Sequence, residues 1–144
     1  MRTLYGVAGS VFFFDQITKF LAVHFLKPRL SISVIPNIFH LSFIENTGIA
    51  FGLFQNHPEF WVATISLSAI ALVIASWFFK TQTFSKRLAF GFILGGALGN
   101  CADRLFWGHV IDFLDFRVWP VFNLADSFIT IGVALFIWFT LRGR

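Results

Sequence analysis

Long uncharged stretches dominate the chain, and their lengths decide what they can be. Phe60–Phe79 carries no charged residue, and at ~1.5 Å of rise per residue a helix of that length covers the ~30 Å hydrocarbon core of a bilayer. Trp61 and Trp77 stand near its two ends, where amphipathic rings favour the headgroup level. Thr3–Leu26 is comparably apolar but contains Asp15 and Lys19. A third run starts at Leu88 and stays uncharged to Ala102, and a fourth extends from Val118 to Leu141 with Asp126 as its single charge. The pattern predicts an all-α polytopic membrane protein with four transmembrane helices, roughly 3–26, 60–79, 88–106 and 120–141.

Between the first two spans the pattern changes. Leu30-Ser31-Ile32-Ser33-Val34 alternates with period two, as does Phe39-His40-Leu41-Ser42-Phe43, and Pro36-Asn37 between them is a turn signal. A short β-hairpin is expected within an outer β segment of roughly 29–54. A lone hairpin is marginal in water, so it must pack on the helices or the membrane surface.

Composition agrees with a bilayer protein. Of 144 residues, 57% are hydrophobic and 12% charged, against ~25% charged in soluble domains, which excludes a disordered chain or an ordinary cytosolic enzyme. The length suits one domain, 1–144. The net charge is +4, yet the basic residues lie in ones and twos at the ends of apolar runs instead of forming a nucleic-acid-binding face. Arg2, Lys80, Lys86, Arg87, Arg142 and Arg144 fall on one side of the four spans; the positive-inside rule makes that side cytoplasmic, with both termini there. All the acidic residues then lie within the membrane or toward its outer face. Two charges inside the first span, and no small-residue cleavage site after it, favour a retained helix over a removable signal.

The ionisable residues in these spans need a reason, since each costs ~2.5–3.5 kcal/mol at mid-membrane on insertion scales. Asp15 and Lys19, spaced i,i+4, read as a self-neutralising structural pair that snorkels or ties the first helix to the outer hairpin. Asp126 has no basic residue after it before Arg142 and must face the protein interior. Asp112 and Asp115 lie in a loop of apolar neighbours between the last two spans, and Trp119-Pro120 lets the chain turn back and bring Asp112 toward Asp126. Two carboxylates ~4 Å apart repel by about 4 kcal/mol at an effective dielectric near 20. Such a pair shares one proton near neutral pH: the ionised member activates water, the protonated member donates to a carbonyl oxygen. Asp103-Arg104 ends the third helix, either as an interfacial ion pair or as a substrate contact. Gly91, Gly95 and Gly99 give that helix a smooth face for close packing. Asn46, Asn100 and Asn123 sit beside apolar stretches on the outer side, where an amide can orient a carboxylate, a peptide or a loop backbone. The four histidines show no metal-ligand spacing, Cys101 reads as a small packed residue, and no cofactor or metal is expected.

Five blocks come in a recognisable order: Asp15-Gln16-Ile17-Thr18-Lys19; Glu45-Asn46-Thr47-Gly48-Ile49-Ala50-Phe51; Gly95-Gly96-Ala97-Leu98-Gly99-Asn100, running on to Asp103-Arg104; Val110-Ile111-Asp112-Phe113; and Phe122-Asn123-Leu124-Ala125-Asp126. In these the chain resembles the bacterial lipoprotein signal peptidase (signal peptidase II) family of intramembrane aspartic proteases. The resemblance implies four transmembrane helices with a small extracytoplasmic β-cradle in the bacterial inner membrane, and a monomer. It implies Asp112 and Asp126 as the catalytic dyad, and Asn46, Gly48, Asn100, Arg104 and Asn123 as residues that line the site and contact substrate or the inhibitor globomycin. The implied substrate is a prolipoprotein, diacylglyceryl-modified on a cysteine and cut before it, with membrane lipid around the site. Ile49 stands where the family usually has alanine. The competing reading is a non-enzymatic proton-coupled carrier using Asp15, Lys19 and Asp126 as a relay.

Overall fold

The computed structural model describes residues 1–47, Ile74 and 83–142, and among these three helices and three strands are delimited. The expected span 60–79 apart from Ile74, and the outer segment beyond Thr47 with Gly48 and Ile49, lie outside the described residues. In chain order the elements are α1 (Arg2–Phe25), β1 (Ser31–Ile35), β2 (Phe39–Asn46), α2 (Phe84–Trp107), β3 (Val110–Asp115) and α3 (Leu124–Arg142).

Helix α1 forms where the apolar pattern places it. Helix α2 starts earlier than the expected 88, taking in Lys86 and Arg87, because charge ends an apolar span but does not end a helix. It stops at Gly108, whose φ of 74° is the left-handed conformation a glycine adopts without strain; its N–H bonds Arg104 O at 3.1 Å. Helix α3 starts later than the expected 120. Phe122 is still held to the sheet, its N–H bonding Leu114 O at 3.1 Å and its carbonyl accepting from Leu114 N at 2.8 Å. Helix geometry becomes available only after Asn123.

The hairpin is present, with Ser31 opposite Ser42 and Ile32 opposite Leu41, and Asn37 takes a φ of 60° in its turn. It is not alone. Asp112 and Asp115, expected in a loop, lie on β3, which pairs antiparallel with β2 to complete a sheet of order β1-β2-β3. Ile111 and Phe113 of β3 pack with Ala22 and Leu26 at the end of α1, the Ile, Phe and Leu side chains each stabilising by roughly 1.5–3 kcal/mol on burial. This cluster fixes the sheet across one end of the helices.

Helix α2 lies between the other two. The expected smooth face meets α1: a Cβ on Gly91 would come within 2.9 Å of Val7, and one on Gly95 within 2.6 Å of Ala8 O. On another face, a Cβ on Gly96 would come within 2.5 Å of Ala125 O in α3. Small residues let helix backbones approach where lipid supplies no hydrophobic drive between helices. Among the described residues, Arg2–Phe25 and Leu124–Arg142 are long and apolar enough to cross a membrane. Their outward faces carry exposed Phe13, Phe20, Ile137 and Trp138.

Candidate active site

Each polar residue is delivered by a simple local rule. Asn46 lies opposite Val110 and Ile44 opposite Asp112, so Asn46 and Asp112 are diagonal neighbours on one sheet face. Asn100, Asp103 and Arg104 share one face of the last turns of α2. Asn123 caps α3: its Oδ1 accepts from Asp126 N at 2.9 Å, while Asp126 Oδ2 accepts from Asn123 N at 3.2 Å. This reciprocal cap gives Asp126 a local partner, the residue three before it, although no basic residue lies nearby in sequence.

These elements bring Asp112 and Asp126 into one network. Asn46 Nδ2 donates to Asp112 Oδ2 at 2.8 Å, and Asn123 Nδ2 donates to Asp112 Oδ1 at 2.7 Å. Asn123 Nδ2 also reaches Asn100 Oδ1 at 3.1 Å, and Asn100 Nδ2 donates to Asp126 Oδ1 at 2.8 Å. Two amides therefore bridge the two carboxylates. Burial, with the nearby negative charge of Asp126 as a smaller cause, pushes Asp112 up to about 6, against the pull of its two amide donors. Desolvation, more than repulsion between the two carboxylates, raises Asp112.

Beneath the amides is a buried ionic knot. Lys19, with 2% of its surface exposed, bonds Asp15 Oδ2 and Asp103 Oδ2, each at 2.8 Å. The pair therefore does not snorkel, and its further partner is α2 instead of the hairpin. Asp15 Oδ1 accepts from Ala125 N at 2.9 Å, placing a carboxylate at the positive end of α3. Gly99 faces this carboxylate so closely that a Cβ would collide with it. Asp103 also accepts from Gln16 Nε2 at 2.9 Å and from Ile111 N at 3.2 Å, which joins the knot to β3. Arg104 is half-buried beside it. Asp115 is separate from the network. Burial pushes it up, but Arg117 N–H and the Ser42 hydroxyl outweigh this and hold it below its usual range.

Asp126 opens onto a cavity of about 630 Å³ lined by Phe116, Val118, Trp119, Phe122, Ser127, Thr130 and Ile131. Among these described lining residues Asp126 alone is ionisable. The arrangement presents a half-buried carboxylate to an apolar groove, with a second carboxylate two amides away. No group of three or more possible metal ligands occurs among the described residues.

The family model described as Signal peptidase (SPase) II matches residues 7–142. The chain belongs to the signal peptidase II family. It is 43% identical over 124 residues to the lipoprotein signal peptidase of Moorella thermoacetica, covering 86% of this chain and 83% of that one. It is 42% identical over 136 residues to that of Halothermothrix orenii, covering 93% and 92%. Among solved structures it is similar to a bacterial membrane enzyme determined by the in meso method at 2.3 Å, with TM-score 0.88, 32% identity, and coverage of 99% of this chain and 89% of that one. A second such enzyme, at 1.9 Å, gives TM-score 0.86 at 31% identity, covering 100% and 96%. The signal peptidase II chain is thus an enzyme and an integral membrane protein. Membership of a peptidase family sets aside the non-enzymatic carrier; Lys19 is enclosed by Asp15, Asp103 and Asn100.

Proposed function

We propose that this signal peptidase II removes signal peptides from diacylglyceryl-modified prolipoproteins, cutting before the lipidated cysteine, with Asp112 and Asp126 as the catalytic dyad. The observation that carries the reading is a half-buried Asp126 on an apolar cavity, joined through two amides to a buried Asp112. The ionised carboxylate takes a proton from water as its oxygen attacks the scissile carbonyl carbon, and the protonated carboxylate donates to the carbonyl oxygen. The tetrahedral intermediate then collapses, the C–N bond breaks, and a dyad proton goes to the leaving nitrogen. No metal or covalent intermediate enters. Roles within the pair follow the shared protonation state and are not fixed to one residue.

Asn46, Asn100 and Asn123 hold the carboxylates by amide donation, while Arg104 and Gly48 contact the substrate. The cavity at Asp126 receives apolar portions of the substrate, and the same site takes a globomycin-type inhibitor. The protein works as a monomer in the inner membrane with four spans, taking α2 and 60–79 as spans beside α1 and α3. Its termini are cytoplasmic and the dyad lies near the outer face, as the basic residues of the chain direct.

The test is cleavage by purified protein in detergent of one precursor in lipidated and unlipidated forms, with products identified by mass. Cleavage of the lipidated form alone, giving a new N-terminus at the modified cysteine, is expected. Equal turnover of both forms, or cleavage elsewhere, contradicts the proposal.

A further inference from the structure

We infer that Lys19 is a positioning residue for the dyad, its ammonium locking the Asn100 amide in the orientation that presents Nδ2 to Asp126. The inference rests on the dyad reading above and assigns a role beyond charge balance to the buried lysine.

An asparagine amide has two nearly isosteric orientations, with oxygen and nitrogen exchanged. Neighbours decide between them. Asn100 Oδ1 faces Lys19 Nζ at 3.0 Å and Asn123 Nδ2 at 3.1 Å, both donors, while its Nδ2 faces Asp126 Oδ1 at 2.8 Å. A flipped Asn100 would set its NH₂ against an ammonium and another NH₂, and its oxygen against a carboxylate.

The other amide of the bridge has its own lock. Asn123 Oδ1 accepts from the backbone N–H of Asp126, which cannot turn away without unwinding the start of α3. Asn100 has no backbone partner of that kind in the network just described, so its orientation depends on the side chains around it. Lys19 is the strongest determinant, because an ammonium only donates. Its three N–H groups meet three acceptors: Asp15 Oδ2, Asp103 Oδ2 and Asn100 Oδ1. Asp15 and Asp103 thus hold the ammonium in place, and the third proton aims at the amide.

Asp126 changes protonation in catalysis, and this is where the lock matters. A protonated carboxyl could donate to Asn100 if the amide flipped, holding the proton away from the substrate. With Lys19 in place the flip is blocked, and the proton stays on the side facing the reacting groups. Loss of the ammonium should therefore lower kcat more than it raises KM, and move the pH–rate profile.

Lys19→Met alone leaves two buried carboxylates without their cation and can fail by unfolding. The informative variant is Lys19→Met/Asp15→Asn, which removes one charge of each sign. Asp103 keeps Gln16 and Ile111 N as donors there. Asp15→Asn alone is the control, since Lys19 retains Asp103 and Asn100. In purified, folded protein with thermal unfolding measured alongside, Asp15→Asn is expected to lose less kcat than the double variant, because the ammonium still faces Asn100. The double variant is expected to lose tenfold or more in kcat, with little change in KM and a displaced pH profile. In an Asn100→Ser background, the Lys19→Met/Asp15→Asn change is expected to add less than threefold, since the group it acts through is gone.

A folded double variant with wild-type kcat and pH profile overturns the inference, as does a full tenfold loss that persists when Asn100 is absent. Failure of the dyad reading looks different: Asp112→Asn or Asp126→Asn would then still turn over.

Discussion

Replacing Asn46 with alanine removes one of two amide donors on Asp112 and tests what sets the protonation of the site. Asp112 rises from 3.8 to about 6 because burial outweighs the hydrogen bonds that oppose it, the Asn46 bond foremost. A hydrogen bond to a charged group contributes ~1.5–3 kcal/mol, and ~1.4 kcal/mol corresponds to one pH unit. The 2.8 Å contact from Asn46 favours the ionised form, so its loss moves Asp112 further up. Water entering the space recovers part of the bond, which leaves a displacement of about one unit, toward pH ~7. The assay is the pH dependence of kcat/KM for cleavage of a lipidated precursor. The wild type is expected to show a limb near pH 6, and Asn46→Ala the same limb about one unit higher. A limb that stays put, or moves to lower pH, would refute the reasoning, because hydration of the opened space would then outweigh the lost donor.

Gly95→Leu is expected to lower stability by about 1–3 kcal/mol or more through overpacking, since even its Cβ would meet Ala8 O at 2.6 Å. Gly9→Ala, with open space around it, should match or slightly exceed the wild type; thermal unfolding in detergent checks both. Ser42→Ala removes the 2.8 Å bond to Asp115 across the sheet and is expected to cost about 1–3 kcal/mol of stability while leaving the pH profile of cleavage in place. Loss of the pH limb in that variant would contradict the separation of Asp115 from the dyad.

The hairpin was readable from its alternation of polar and apolar residues, although all of β1 is exposed and Ser42 is the buried residue of β2. Strand β3 was not, because Val110, Ile111, Asp112 and Phe113 are all buried, and a strand covered on both faces loses the period-two signal. The glycine spacing foretold close packing against α1, but not that Gly96 opens a second close contact with α3. Spacing revealed the Asp15–Lys19 pair because i,i+4 is local. Asp103, the second carboxylate on Lys19, belongs to another helix, and no local rule reaches it. The bridging amides were each visible as polar residues in apolar surroundings. Their partners became definite only once the sheet, α2 and the cap of α3 met.

The central claim is that Asp112 and Asp126 act together on one peptide bond. Purified Asp112→Asn and Asp126→Asn, shown folded by thermal unfolding, should be assayed beside the wild type on a lipidated precursor. Each is expected to lose cleavage by at least about a thousandfold, roughly 4 kcal/mol of transition-state stabilisation. Near-normal turnover by either folded variant would contradict the dyad.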